Sequence, residues 1–326
     1  MESLTKNKQT EETITKMVEK HFTPLKMAYF HELTEGYFNM AYEIRLSNGK
    51  QLILKIAPSP QTRVMTYEKN IMFSEVEAMR MAARTGGIPV PEILGYDDSR
   101  TICDSPYFFM EKLEGTSLHS VKAGLPPEQV ESIYMETGRI NRKINDIPCP
   151  AFGYPGQREF QGKDWFSVFC RMMAAGVKDA EQGKVDLKIP VDELWRCLER
   201  DRSIFEEVDQ PKLVHWDCWD GNIFVRSGRV TGIIDWERSI WGDPLMEVGF
   251  RTYSDNTCFQ RGYGIKSLTE SQKRRALWYD VYLMLLVALE CEYRKYDTLD
   301  TYYYAAQMLG KQFEKIQEAH GGEQLQ

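Results

Sequence analysis

The chain lacks most of what marks a secreted, metal-clustered or membrane-inserted protein. Its seven cysteines, at 103, 149, 170, 197, 218, 258 and 291, are odd in number and scattered, with no C-x-x-C pair. That argues against a disulfide frame or a cysteine zinc site and for reduced thiols in a cytosol. Five widely spaced histidines offer no metal cluster. Long apolar runs are missing too. The most apolar stretch, Val281 to Leu289, lies between Asp280 and Glu290, whereas a spanning helix needs about 20 apolar residues. It reads as a buried helix of a soluble protein. Positive charge is in deficit: the net charge is −7 and the pI near 5.5, so no nucleic-acid or anionic-membrane surface is expected. Lys6, Lys8, Glu11 and Glu12 have no apolar run behind them, so no signal peptide is read there. The expectation is a cytoplasmic protein with no obligate protein partner.

What is present is a run of polar chemistry, His215-Trp216-Asp217-Cys218-Trp219-Asp220-Gly221-Asn222, followed by Ile233-Ile234-Asp235. It reads H-x-D-x-x-x-x-N, then an aspartate closing an apolar strand. Phosphoryl transfer from a nucleotide needs such a set: one carboxylate to orient a hydroxyl and two oxygen ligands to hold Mg²⁺. The same spacing occurs in the catalytic and metal segments of protein kinases. These residues point to an ATP-type phosphotransferase.

At 326 residues the chain is large for one core and comfortable for two lobes. Ile14, Met17, Val18, His21 and Phe22 fall at helical spacing. Strand-like runs follow at Lys26–Leu33, Tyr42–Leu46 and Gln51–Ile56, the last two flanking the Asn48-Gly49 hairpin signal. In the third strand Ile53 and Lys55 share a face, which suits a nucleotide cleft where Ile53 covers a base and Lys55 meets phosphates. A helix is expected over Glu68–Arg84, stopped by Gly86-Gly87, then strands near Ile93–Tyr96 and Tyr107–Met110. From Pro126 the pattern is helical up to Phe313, except for paired strands around Asn222–Asp235 turning at Ser227-Gly228. A strand-rich first third and a helical remainder imply an α+β chain of two lobes.

With Lys55, Glu75, Met110–Gly115, His215–Asn222 and Asp235 in hand, the chain resembles the aminoglycoside phosphotransferase family, small-molecule kinases of the protein-kinase-like fold. The resemblance covers roughly residues 29–250. It rests on L-V-H-W-D-C-W-D-G-N-I at 213–223, I-I-D-W-E-R-S-I-W-G-D-P at 233–244, I-P-V-P-E-I-L-G-Y at 88–96 and F-F-M-E-K-L-E-G at 108–115. Two departures separate it from protein kinases: Trp219 stands where Ser/Thr kinases usually have lysine, and no activation segment fits between Asp235 and Gly242-Asp243-Pro244. A small-molecule hydroxyl is therefore the expected acceptor.

The resemblance implies a bilobal fold: an N-terminal nucleotide-binding lobe over 1–110, a hinge at 111–115, and a C-terminal lobe over 116–326 with a helical substrate region near 126–209. It makes Asp217 the catalytic residue that takes the acceptor's proton, where the plain alternative is a turn-capping aspartate. Asn222 and Asp235 become the Mg²⁺ ligands, and Lys55 contacts the α- and β-phosphates. Glu75 and Glu77 could each hold Lys55, and the pattern E-x-x-x-x-R at 75–80 favours Glu75. Ile53, Met110, Glu111 and Leu113 line the base, with backbone of the last two reaching the adenine edge. The phosphate-covering loop, Glu35-Gly36-Tyr37-Phe38-Asn39-Met40, has a single glycine, so its backbone and Asn39 are the contacts expected there. His215 is expected to be structural, Asp243 a cap, and Asp220 solvent-facing or beside the substrate.

The nucleotide, ATP or GTP, and the acceptor stay open. The resemblance implies an aminoglycoside or related antibiotic. The same motifs serve kinases of choline, homoserine, methylthioribose, fructosamine and macrolides. A polycationic acceptor needs carboxylates, and Asp280, Glu290, Glu292, Asp297 and Asp300 are candidates, with Asp297 and Asp300 the best pair. The aromatics Trp278, Tyr279, Tyr282, Tyr293, Tyr296 and Tyr302 to Tyr304 could line a pocket or pack a core. Rival readings are a nucleotide-binding regulatory pseudokinase and, more distantly, a metal-dependent hydrolase.

Overall fold

Alternating apolar residues build the first third of the chain into a sheet. The computed structural model describes residues 5–34, 36 and 38–323. Helix α1 (Glu11–Phe22) begins at Thr10, whose hydroxyl accepts the Thr13 N–H, and it buries Ile14, Met17 and Val18. Strands β1 (Met27–Leu33), β2 (Met40–Leu46) and β3 (Gln51–Ile56) follow. Gly49, at φ 87°, makes the β2–β3 turn, in backbone that glycine adopts without a Cβ penalty. β2 starts two residues before the expected Tyr42, because Met40 still pairs with Ile56. Along β3, Leu52, Leu54 and Ile56 pack under α1, and Ile53 and Lys55 turn to the other face.

Helix α2 (Ile71–Thr85) starts three residues later than expected. Asn70 is left-handed at φ 54°, and Thr66–Glu68 form a separate 3₁₀ turn. Glu68 closes that turn by accepting the Met65 N–H at 2.8 Å, so it belongs to the turn and not to the helix. Strands β4 (Ile93–Asp97) and β5 (Tyr107–Glu111) complete an antiparallel sheet of order β1-β2-β3-β5-β4. On the face away from α1, α2 packs Val76, Met79 and Ala82 with Phe108 and Met110 of β5. Ile233 and Trp236 from much later in the chain join the same cluster, which ties the sheet to the rest of the molecule.

The remainder runs β6 (Thr116–Ser117), α3 (Leu118–Val121), α4 (Pro127–Asn145), α5 (Trp165–Gly183), α6 (Val191–Arg200) and α7 (Arg202–Phe205). It continues β7 (Lys212–Val214), β8 (Ile223–Arg226), β9 (Arg229–Ile233), β10 (Ile240–Gly242), α8 (Thr257–Tyr263), α9 (Glu270–Arg294) and α10 (Asp300–Glu323). The β8–β9 hairpin turns at Ser227 and Gly228, with φ 50° and 77°, as a two-residue primed turn requires. β6 pairs with β8, and β7 with β10. β6, β7 and β10, of two or three residues, are too short to show a period, so the sequence did not announce them. α9 buries residues on every side, Val281–Leu286 among them, the mark of a helix at the centre of a lobe. Its neighbours are α5 and α10. The fold is the expected α+β arrangement, strand-rich first and helical after. Among the described residues no helix is long and apolar enough to cross a membrane.

Candidate active site

Strand β7 ends at Val214, and the chain then turns sharply through His215–Asn222. Trp216 is held at φ 65°, a costly conformation for a bulky residue that persists only where its surroundings impose it. Glu247, fully buried, imposes it here. Its carboxylate accepts the N–H groups of His215 at 2.8 Å and Trp216 at 3.0 Å, and the side-chain amides of Asn141 at 2.9 Å and Asn145 at 3.0 Å. Arg251 donates to the Trp216 carbonyl at 3.2 Å, and the Trp216 ring stacks on Tyr282 at 5.6 Å. His215 joins two segments: its Nδ1 accepts the Asp217 N–H at 3.2 Å, and its Nε2 donates to the Ile234 carbonyl at 3.1 Å. Burial lowers its pKa to about 4, which keeps this neutral pattern intact.

Asp217 is thereby fixed in a half-buried position. Burial pushes its carboxyl up to about 6, against the pull of the Arg238 and Arg251 guanidiniums and with some help from Asp235. Asn222 turns its amide nitrogen inward, donating to the Asp217 carbonyl at 2.8 Å and the Asp217 carboxylate at 3.3 Å. The oxygen end of that amide is left as the end able to face a cation.

The second pole forms around Lys55. Its ammonium lies 2.6 Å from Glu75 Oε1 and 2.9 Å from Asp235 Oδ1. Glu75 is fully buried, while Glu77 is half-buried on another face of α2, so the choice between them falls to Glu75. Asp235 sits at φ 62°, a second left-handed residue at the centre of the site. Burial works to raise its pKa, but the adjacent Lys55 outweighs burial and lowers it. Glu237 is held well above the ordinary range by burial and by the charge of Asp235. Three carboxyl groups (Glu75, Asp235 and Glu237) thus act on one ammonium. A divalent cation would relieve that imbalance, and Asp235 with Asn222 gives the hard oxygen donors Mg²⁺ prefers.

Ile53 pairs with Met110 across β3 and β5, so both stand beside Lys55 on the cleft side of the sheet. The Glu111 N–H is used by the Glu92 carbonyl at 2.9 Å. The Leu113 side chain lies against Gly232, where an added Cβ would come within 2.0 Å of it. In the phosphate-covering loop Glu35 and Tyr37 lie outside the described residues. Asn39 is buried, and its amide donates to Glu237 at 2.9 Å. Phe38 lies 5.2 Å below the Arg294 guanidinium.

The acceptor side differs from expectation. Glu290 pairs with Arg238 at 2.7 Å and Arg294 at 3.5 Å, and Arg294 also holds Glu68 at 2.8 Å. Asp280 is buried and accepts the Thr252 N–H and hydroxyl. Glu292 pairs with Lys295 at 2.7 Å. Asp297 and Asp300 are exposed at the α9–α10 turn. Asp220 is half-buried and tied to Lys122 and Tyr134, each at 2.9 Å. Asp243 caps Leu245 at 3.1 Å and binds Arg275 at 2.8 Å and Tyr279 at 2.7 Å, a structural role. Trp278, Tyr279 and Tyr282 are core, whereas Tyr303 and Tyr304 are exposed. Sequence reading passed over Glu247, Asn141, Asn145 and Arg238. A signal existed for two of them: Asn141 and Asn145, four apart, interrupt the apolar stripe of α4 on its buried face.

Residues 30–262 match the profile described as the phosphotransferase enzyme family. A subtelomeric hrmA-associated cluster protein of Aspergillus fumigatus is 33% identical over 123 residues, which is 37% of this chain and 23% of that protein. The chain thus matches about a quarter of that curated relative's length. A candidate fructosamine-3-kinase from Thermobifida fusca superposes with TM-score 0.66 at 15% identity, covering 94% of this chain and all 100% of the other. A thermostable mutant of aminoglycoside phosphotransferase APH(4)-Ia, in ternary complex with AMP-PNP and hygromycin B, superposes with TM-score 0.64 at 17% identity, covering 92% and 97%. Likeness at these identities speaks for the fold, and the fold is the two-lobed kinase-like one.

Proposed function

This chain belongs to the phosphotransferase enzyme family, and on that premise we propose that it moves the γ-phosphate of ATP or GTP, with Mg²⁺, to a hydroxyl of a small molecule. The observation that carries this reading is the pairing of Lys55 with both Glu75 and Asp235, beside an Asn222 bound to Asp217. Asp217 accepts a hydrogen bond from the acceptor hydroxyl and takes its proton as the new P–O bond forms. With a pKa of about 6 it is ionised at neutral pH and basic enough to do so. Lys55, aimed by Glu75, meets the α- and β-phosphates. Ile53 and Met110 cover the base, and backbone of Glu111 and Leu113 reaches its edge. The backbone around Asn39 covers the phosphates. Asn222 and Asp235 are the residues that would hold Mg²⁺, which supplies charge neutralisation to the triphosphate.

Kinship with APH(4)-Ia makes an aminoglycoside the first acceptor to consider. A specific observation favours a different one. Glu290, whose charge acts on Asp217, is paired with Arg238 and Arg294, so it offers no free carboxylate to a polycation there. A neutral hydroxyl compound such as a sugar fits this arrangement better than an amine-rich antibiotic. The test is a panel of aminoglycosides, macrolides, hygromycin-like compounds, amino sugars and neutral sugars, with nucleotide turnover and the mass of phosphorylated product as readouts. Phosphorylation of sugars, abolished by Asp217→Ala, is the expected result. Turnover confined to polyamine antibiotics would overturn the sugar reading and keep the kinase. Tight nucleotide binding with neither product nor Mg²⁺-dependent hydrolysis would overturn the enzyme and leave a regulatory pseudokinase.

A further inference from the structure

A cavity of about 780 Å³ opens beside α2; Phe38 of the phosphate-covering loop is among its lining residues, but none of Lys55, Asp217, Asn222 or Asp235 is. Its volume falls within the range of small-ligand sites. Phe73 and Glu77, one helical turn apart on α2, form part of its wall. Glu75 projects from the opposite side of the same helix, toward Lys55. The other walls come from Tyr96 and Arg100 at the end of β4, from Gly156 and Arg158 ahead of α5, and from Trp241 on β10.

Two independent features of these walls favour an anion. Lys69, Arg100 and Arg158 line the cavity, and none makes an ion pair or side-chain hydrogen bond with the described residues. They outnumber the unpaired carboxylates there, Glu77 and Asp98, since Glu68 is taken up by Arg294. Second, Asn70 leaves α2 uncapped: its amide donates to the Gly156 carbonyl at 3.2 Å and caps no helix N–H. The first N–H groups of this helix, which have no intrahelical acceptors, therefore begin at the cavity wall. Tyr96 and the exposed Phe73 ring offer surface for an organic body beside the anion.

We propose that this cavity is an effector site for a phosphate-bearing small molecule, separate from the nucleotide cleft, which acts on the Lys55–Glu75 pair through α2. A ligand held by Lys69, Arg158 and the start of α2 restrains the helix from its outer side, and the inner side carries the carboxylate that positions Lys55. Coupling of this kind is reciprocal, so nucleotide and effector should each strengthen the other's binding.

The test is isothermal titration of the full chain with inorganic pyrophosphate, with the nucleotide cleft first saturated by AMP-PNP and Mg²⁺. Hydrogen exchange over residues 70–77 is followed in the same samples. One saturable site is expected, with slower exchange at Ile71 to Phe73, and both effects should fall at least tenfold in Lys69→Ala/Arg158→Ala. Neither residue belongs to the nucleotide site, so AMP-PNP affinity without pyrophosphate should be unchanged in that variant. No saturable binding to the AMP-PNP complex, or an isotherm the double substitution leaves unmoved, would overturn the site. Binding without slower exchange in α2 would overturn its action on the Lys55–Glu75 pair. A chain that failed to bind AMP-PNP would count against the kinase reading, while the effect of the cavity variant on the pyrophosphate isotherm would still decide this one.

Discussion

In the proposed role Asp217 meets two opposed demands, to be buried enough to be basic and ionised enough to accept a proton. Its pKa of about 6 is the compromise. The ionised form is the competent one, so kcat/KM should fall as pH drops through about 6, with a slope approaching one proton. A profile flat from pH 5 to 8 would remove Asp217 from that role. Asp217→Asn keeps the shape and loses the base, and the rate should drop by on the order of 10²–10⁴ while nucleotide still binds. The sign for stability is the reverse. A carboxyl whose folded pKa is raised costs stability once ionised, a cost fully present above about pH 6 and relieved as pH falls below it. The Asn variant should therefore melt higher than the parent at pH 7.5, with the gap closing toward pH 5. Glu247 is the residue that makes Asp217 possible, since it clasps two N–H groups of the strained turn and two asparagines. Glu247→Ala leaves those buried donors unpaired, at about 1–3 kcal/mol for each group left unsatisfied. Urea unfolding should show a loss of several kcal/mol, and rescue by Gln should be only partial.

At the scale of elements, α2 and α4 place polar groups on otherwise packed surfaces. α2 delivers Glu75 only because it starts at Ile71 and not at Glu68, a register set by left-handed Asn70. α4 delivers Asn141 and Asn145 to Glu247 along the same face that packs unusually close to α8. A Cβ on Gly138 would lie 2.1 Å from the Phe259 carbonyl oxygen, and one on Gly262 would lie 2.0 Å from that of Met135. Two opposed effects meet in Gly138→Ala. Helix propensity favours alanine by about 1 kcal/mol, but a clash with backbone cannot be relieved by a rotamer change, and overpacking costs about 1–3 kcal/mol. The clash wins. We expect the urea midpoint to fall with the m-value unchanged, and activity to fall with it as Asn141 and Asn145 move. A midpoint at or above the parent's would mean that α8 yields freely and that α4 is not held by this contact.

Taken as a whole, the molecule brings the sheet and the helical lobe together around an excess of carboxyl groups. Mg²⁺ and nucleotide should therefore stabilise the entire fold. At a ligand concentration 100 times Kd the gain is about 2.7 kcal/mol, readable as a rise in Tm that requires both components. Asp235→Ala should lose that rise and keep the fold, and a variant that still shows the full rise would take Asp235 out of metal binding. The sequence alone was enough to reveal whatever repeats locally or sits within a few positions: the β2–β3 hairpin at Asn48-Gly49, the Ile53 and Lys55 face, the buried run in α9, and the Asp217–Asn222 spacing. Periodicity and turn chemistry are properties of neighbouring residues, so they survive in one dimension. Tertiary structure alone decided what depends on distant partners. The clasp of Glu247 on His215 and Trp216, the neutralisation of Glu290 by Arg238, and the tie of Asp220 to Lys122 all join residues far apart in the chain. A carboxylate written in a sequence carries no sign of whether a guanidinium will be folded against it. For that reason the His215–Asn222 spacing could be read before the fold was known, and the pairing of the carboxylates around it could not.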